Sequence, residues 1–251
     1  MIEQSDIDHI LAHATGRDWM QMDLARYVVG HRRYQQHKSE LKIIESGEGL
    51  YPEALSLNLK GLSNFDVIMR TNRLTKPLYA IDKVLANFDR MKVLCVGPRT
   101  EMEIFALIGM GFNPENIIGL DLFSYSPWVR VGNIMDAPFP DNSFDIVIAG
   151  WVIAYCTDPI KACREISRVA TQNGVIAIGS TYVPEDRRDA ESEGRGDLFY
   201  PTADELLARF HVKQVYLKHA IPKDKKGRTI VIFEQGKTPG TSQNTPAWKD
   251  R

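Results

Sequence analysis

The chain reads as an α/β protein built on a mostly parallel sheet, with a helical extension on its N-terminal side. Three observations predict this. Between Lys92 and Glu234 short β-branched runs alternate with helical patterns, the signature of βαβ units with right-handed crossovers. The first of these runs, Lys92-Val93-Leu94-Cys95-Val96, is apolar on both faces, as a central parallel strand must be. The last two runs, residues 212–218 and 228–234, are joined by Pro222-Lys223-Asp224-Lys225-Lys226-Gly227, a hairpin-like connection that implies antiparallel pairing at one sheet edge.

Composition limits the function. With 251 residues and 43% hydrophobic content, the chain buries one good-sized core, which suits one α/β domain (residues 91–236) with a helical extension (1–90) and a polar, disordered tail (237–251). Lys plus Arg number 31 against 32 Asp plus Glu, so no global field draws the protein to nucleic acid or to an anionic bilayer, and neither is expected as a partner. The start, Met1-Ile2-Glu3-Gln4-Ser5-Asp6, lacks the basic and apolar regions of a signal peptide, which predicts a cytoplasmic protein. Cys95, Cys156 and Cys163 lack metal or redox spacing and are expected as buried thiols.

Within the extension, residues 6–14 and 19–41 read as helices divided by Gly16, followed by a loop near Gly47-Glu48-Gly49. A further helix starting near Pro77 puts Leu78, Ile81, Leu85 and Phe88 on one face, ready to pack on the sheet. The His9 and His13 pair lacks a third metal ligand, and His31-Arg32-Arg33 through His37-Lys38 reads as a charged outer helix face. No metal site is expected.

After the first strand comes Gly97-Pro98-Arg99-Thr100-Glu101-Met102-Glu103. Thr100 and Glu103 have capping-box spacing, so a helix is expected to begin there with its free amides facing the turn. Glu101 and Glu103 suit the helix dipole but repel phosphate, and neither a Walker lysine nor a Gly-x-Gly-x-x-Gly is present. A nucleoside without phosphates fits such a turn better than a dinucleotide. The second strand ends at Asp121, where a carboxylate can accept hydrogen bonds from both ribose hydroxyls; a plain strand-end turn residue is the other reading.

The third part of the pattern is Gly132-Asn133-Ile134-Met135-Asp136-Ala137-Pro138-Phe139-Pro140-Asp141-Asn142-Ser143-Phe144-Asp145, followed by a strand through Gly150-Trp151. Together with the preceding turn and acid, this run resembles the class I S-adenosylmethionine-dependent methyltransferases, over about residues 92–180. The resemblance implies a Rossmann-like, mostly parallel seven-stranded sheet with an antiparallel C-terminal edge strand, and S-adenosylmethionine as cofactor. It implies that Gly97 admits the methionine part, that Asp121 binds the ribose, that Asn133 and Ile134 meet the adenine edge and face, and that Pro98 and Leu122 are among the cofactor contacts. Gly150 and Trp151 would border the transferred methyl. Phe144 and Asp145 are expected to anchor the strand entry.

Three departures from the family pattern stand out. Cys95 replaces the acid of the first strand, and Arg99 and Glu101 replace glycines of the turn. Arg99 reads either as a partner of the cofactor's carboxylate or as a solvated turn residue. Between Asp121 and Asp136 there is little room for a helix, so Leu122-Phe123-Ser124-Tyr125-Ser126-Pro127-Trp128 crosses as an aromatic loop, either walling the site or packing in the core.

The resemblance thus implies a methyltransferase acting on a small-molecule or glycan-like acceptor, at oxygen or nitrogen; a non-catalytic binding module with the same fold is the alternative that the altered turn suggests. Tyr155, Asp158, Tyr182, Glu185, Asp186 and His211 lie near strand ends, and their spacing singles out no catalytic residue. Asp158 before Pro159 reads as a helix N-cap and His211 as a helix-end residue. The charged, glycine-punctuated stretch 184–196 is expected to be a lid or a surface loop. Acceptor and oligomeric state are not legible.

Overall fold

A computed structural model of the chain describes residues 3–44, 56, 58–63, 68–188 and 199–237. The loop at Gly47, most of the stretch 184–196 and the tail after Lys237 therefore lie outside the described residues. The helical extension begins with α1 (Gln4–His13), α2 (Gly16–Gln21) and α3 (Asp23–His37). Gly16 opens a helix instead of dividing two, because Thr15 and Asp18 form a reciprocal capping box one residue earlier. The predicted helix 19–41 is broken at Met22, whose extended backbone (φ −88, ψ 124) ends α2 and starts α3.

A two-residue strand, β1 (Lys42–Ile43), leads on to α4 (Ile68–Thr75) and the short α5 (Asp82–Leu85). The helix expected from Pro77 is interrupted at Ile81, where the backbone extends. The interruption shifts the helical phase: Leu78, Ile81 and Val84 are buried, whereas Leu85 is exposed.

The sheet follows. In chain order its strands are β2 (Val93–Val96), β3 (Ile117–Asp121), β5 (Val129–Val131), β6 (Phe144–Gly150), β7 (Ala170–Tyr182), β8 (Val212–His219) and β9 (Gly227–Gln235). Their spatial order is β5-β3-β2-β6-β7-β9-β8, with parallel pairing from β5 through β7. The last strand, β9, enters antiparallel between β7 and β8, one place in from the edge. A helical crossover, α6 (Met102–Met110), joins β2 to β3, and α7 (Pro159–Val169) joins β6 to β7; α8 (Ala203–Leu207) precedes β8.

Alternation along the strands divides the core between the two faces of the sheet. Val93, Cys95, Ile146, Ile148, Val175 and Ala177 face α4, α6 and Leu78; Leu94, Val96, Val147, Ala149, Ile176 and Ile178 face α7 and α8. All three cysteines are free and buried. On the α6 side, the backbone of α2 lies against Gly109, where a Cβ would come within 2.5 Å of Met20 main-chain atoms. Only glycine permits that approach.

Between β3 and β5 there is no helix. The aromatic crossing instead forms β4 (Phe123–Ser124), paired antiparallel with β1. Phe123 and Tyr125 are buried with Leu62, Tyr34 and Leu41, so the crossing packs in the core against the extension, while Leu122 and Phe123 also line the cleft at the carboxyl ends of β2, β3 and β6. The Pro-Phe-Pro-Asp segment is held by α7: Arg168 donates to the carbonyls of Ala137 and Phe139 and to Asp141, while Glu165 accepts from the Ala137 amide. Asp145 accepts from the Lys92 amide at 2.9 Å and so ties the entry of β6 to that of β2. No helix among the described residues is long and apolar enough to cross a membrane.

Candidate functional site

The carboxyl ends of β2, β3 and β6 open into one cleft, where an open α/β sheet ordinarily takes its ligand. Its walls include Val96, Gly97, Arg99, Asp121, Ile134 and Trp151. Of the nine positions expected to touch a cofactor, seven line it: Gly97, Arg99, Asp121, Leu122, Asn133, Ile134 and Trp151. Pro98 packs instead over Gly119 of β3, and Gly150 lies beneath, facing Leu74, Glu103 and Arg70.

The turn that closes β2 is left-handed at two residues, Gly97 (φ 65) and Arg99 (φ 61). At Gly97 a Cβ would also meet Val152 at 2.9 Å, so both the backbone angle and the packing demand glycine. The expected capping box does not form: α6 begins at Met102, with Glu101 as an N-cap that makes no side-chain cap bond. Both acids have other roles. Glu101 is fully buried and paired with Arg33, whose Nε and Nη2 lie 2.6 and 2.9 Å from its two oxygens. Arg33 thus turns inward, with its guanidinium over the Trp128 ring, and does not belong to an outer charged face. Glu103 is buried beside Cys95, and burial pushes its carboxyl up to about 7 against the lowering effect of Arg70.

Asp121 ends β3 at the cleft. Its Oδ2 accepts from the Arg99 amide at 2.8 Å and its Oδ1 from the Leu122 amide at 2.7 Å. Burial raises this carboxyl to about 6; those two amides and then the charges of Arg70 and Arg99 pull the other way. Each oxygen keeps a further lone pair for a ligand hydroxyl. Asn133 caps a short turn by accepting from the Met135 amide, and Ile134 beside it is buried at the cleft wall. Trp151 stands at a left-handed backbone angle (φ 57), its amide bonded to the Gly179 carbonyl at 2.7 Å and its ring lying on Gly179.

Arg99 is not a solvated turn residue. Its side chain lies in the cleft, hydrogen-bonded to Asn58 Oδ1 from the extension and passing over Gly61. Arg70 of α4 also reaches the cleft, its Nη2 donating to the Gly97 carbonyl at 2.9 Å. The Nε atoms of both arginines are buried without a hydrogen-bond partner. Sequence reasoning missed Arg70, although its position four residues before the core residue Leu74 puts it on the inward face of α4.

Of the six residues near strand ends, Tyr155 alone is among those lining this cleft. Tyr182, Glu185 and Asp186 border a separate depression beside Thr202, and Asp158 caps α7 by accepting from the Lys161 amide. His211 lies beyond the end of α8, where its carbonyl bonds the Gly236 amide, and is not a helix-end residue. The rings of His9 and His13 stack on an exposed helix, and no metal-holding cluster of three or more such side chains occurs among the described residues.

Residues 100–178 match the model of a family described as "Methyltransferase domain". An uncharacterised methyltransferase of Bacillus subtilis, YcgJ, is 40% identical over 55 residues, 22% of either chain. A demethylmenaquinone methyltransferase of Listeria welshimeri is 42% identical over 53 residues, 21% of this chain and 22% of its own. The matched part therefore spans about a fifth of these relatives. Among solved structures, a putative sarcosine dimethylglycine methyltransferase from Galdieria sulphuraria superposes with a TM-score of 0.51 at 15% identity, over 83% of this chain and 98% of its own, a likeness of fold.

Proposed function

We propose, on the premise that the chain belongs to the class I S-adenosylmethionine-dependent methyltransferases, that it transfers a methyl group from that cofactor to a small-molecule or glycan-like acceptor at oxygen or nitrogen. The observation that carries the reading is the convergence of Gly97, Asp121, Asn133 and Trp151 on one cleft. The residues suit the cofactor: Asp121 offers acceptors to a ribose, Ile134 an apolar face to adenine, and two partnerless arginine donors await an anion.

The bound cofactor supplies an activated methyl on sulfur. The protein's part is to hold donor and acceptor in line, and orientation alone accounts for much of the acceleration in such a displacement. Trp151 and Val152 border the cleft beyond β6, and Tyr155 stands where it can orient an acceptor. The near-zero net charge supports a small acceptor over nucleic acid. On this reading the N-terminal helices act as a cap on the α/β domain, through Arg33 and Arg70.

The test is incubation with S-adenosylmethionine labelled on the transferred methyl, together with panels of small amines, hydroxylated aromatics and glycans. Acceptor-dependent release of S-adenosylhomocysteine is the expected result. Cofactor binding without turnover on any panel member favours a non-catalytic module, the reading suggested by the non-glycine residues Arg99 and Glu101 in the turn.

A further inference from the structure

We propose that Arg70, carried by α4 of the N-terminal extension, is a cofactor-binding residue that grips the carboxylate of the cofactor's methionine end jointly with Arg99. The inference rests on the cofactor reading above and adds a residue outside the stretch that resembles the family.

Both guanidinium groups reach one cleft, and both present a buried Nε that donates to nothing. Two like charges enclosed together are costly unless an anion lies between them. The acids nearby offset this charge only in part, Asp121 acting on both arginines and Glu103 on Arg70. Glu101 is engaged by both nitrogens of Arg33, and Asp121 directs its oxygens at the amides of Arg99 and Leu122. Glu103 is buried below Gly150 next to the Arg70 Nε, where it offsets the charge of Arg70 from beneath and is not among the residues lining the cleft. Burial and then the proximity of Arg70 hold the Arg99 guanidinium below its ordinary range, as expected of two cations sharing a space.

Position identifies the anion. Asp121, at the end of β3, would hold the ribose; Gly97, whose carbonyl fixes Arg70, lies at the end of the adjacent β2. A nucleoside seated on Asp121 with adenine at Asn133 and Ile134 therefore points its other end toward Gly97, Arg70 and Arg99. The planar fork of an arginine suits a carboxylate there. The extension then completes the cofactor site, and the bound cofactor clamps α4 to the β2 turn.

The test compares two ligands that share the nucleoside and differ in the amino-acid end: S-adenosylhomocysteine and methylthioadenosine. Calorimetry on the full chain and on its Arg70→Gln and Arg70→Lys variants reads both affinities. For Arg70→Gln, S-adenosylhomocysteine should bind about tenfold to a hundredfold more weakly, as for loss of a hydrogen bond to a charged group, while methylthioadenosine changes by less than about threefold. Arg70→Lys should recover part of the loss. An equal loss for both ligands marks a merely structural residue and overturns the proposal; so do unchanged affinities for both ligands. Failure of the unaltered protein to bind S-adenosylhomocysteine at all overturns the cofactor reading itself.

Discussion

Arg33 of α3 and Glu101 at the head of α6 form a two-pronged ion pair across 68 residues of chain, with Glu101 fully buried and Arg33 about one-quarter exposed. It joins the extension to the turn that lines the cleft. Removing the arginine strands a buried carboxylate, so Arg33→Ala should lower stability by about 3 kcal/mol. The double variant Arg33→Met with Glu101→Met should lose much less than the sum of the single changes. Urea denaturation of the unaltered protein, Arg33→Met, Glu101→Met and the double variant checks the coupling; additive losses would show that the pair is not a unit.

Arg168 plays a comparable part on the opposite face. It holds Glu165, Asp141 and the carbonyls of Ala137 and Phe139 at 2.7–2.9 Å. Arg168→Ala should cost about 2–3 kcal/mol, as for loss of several charge-assisted bonds at a partly exposed site. Hydrogen exchange should quicken at Ala137, whose amide is bonded to Glu165. An unchanged melting temperature with unchanged exchange would contradict this bracing.

Asp121 gives the cleft a pH response. Its carboxyl titrates at about 6, and only the ionised form offers acceptors to two ribose hydroxyls. Affinity for S-adenosylhomocysteine should be flat above that value and fall by up to about tenfold per pH unit below it. Asp121→Ala should weaken binding by about 1–3 kcal/mol and abolish this slope. Titrations at several pH values decide it; an Asp121→Ala protein of unaltered affinity would refute the ribose role.

The parts of the fold written in local chemistry were legible in the sequence. Apolar runs such as Val93–Val96, the hairpin before β9 and the Asp158 cap depend on neighbours in the chain, and the structure has them where expected. Long-range pairings were not legible. Thr100 and Glu103 have capping spacing, yet Glu103 turns into the core beside Cys95, where the burial of α6 outweighs a local cap. Arg33 looked like one charge among several on a surface helix until Glu101 was brought to it across the fold. Arg70 lay outside every motif, and only its inward register with Leu74 hinted at its place. The extended backbone at Met22 and Ile81 had no glycine or proline at the break to announce it.

Glu103 should make the protein less stable as pH rises. Its folded carboxyl titrates at about 7 because of burial, above the unfolded value of 4.5, so the folded state binds the extra proton between those limits. Stability supplied by this group is therefore full below about 4.5 and is lost as pH climbs through 7, by up to about 3 kcal/mol. Glu103→Gln should remove that part of the loss. Comparing denaturation midpoints of the two proteins at pH 5 and 8 measures it, and parallel pH profiles would contradict the assignment.

On the proposed function, the cleft between β2 and β3 takes a sulfur-containing nucleoside cofactor and not a dinucleotide. Isothermal calorimetry of the folded chain with S-adenosylmethionine, S-adenosylhomocysteine and NADH tests it most directly. One-to-one binding of both sulfur cofactors, with no heat from NADH beyond dilution, is predicted. A folded protein that binds neither sulfur cofactor, or that prefers NADH, would contradict the account.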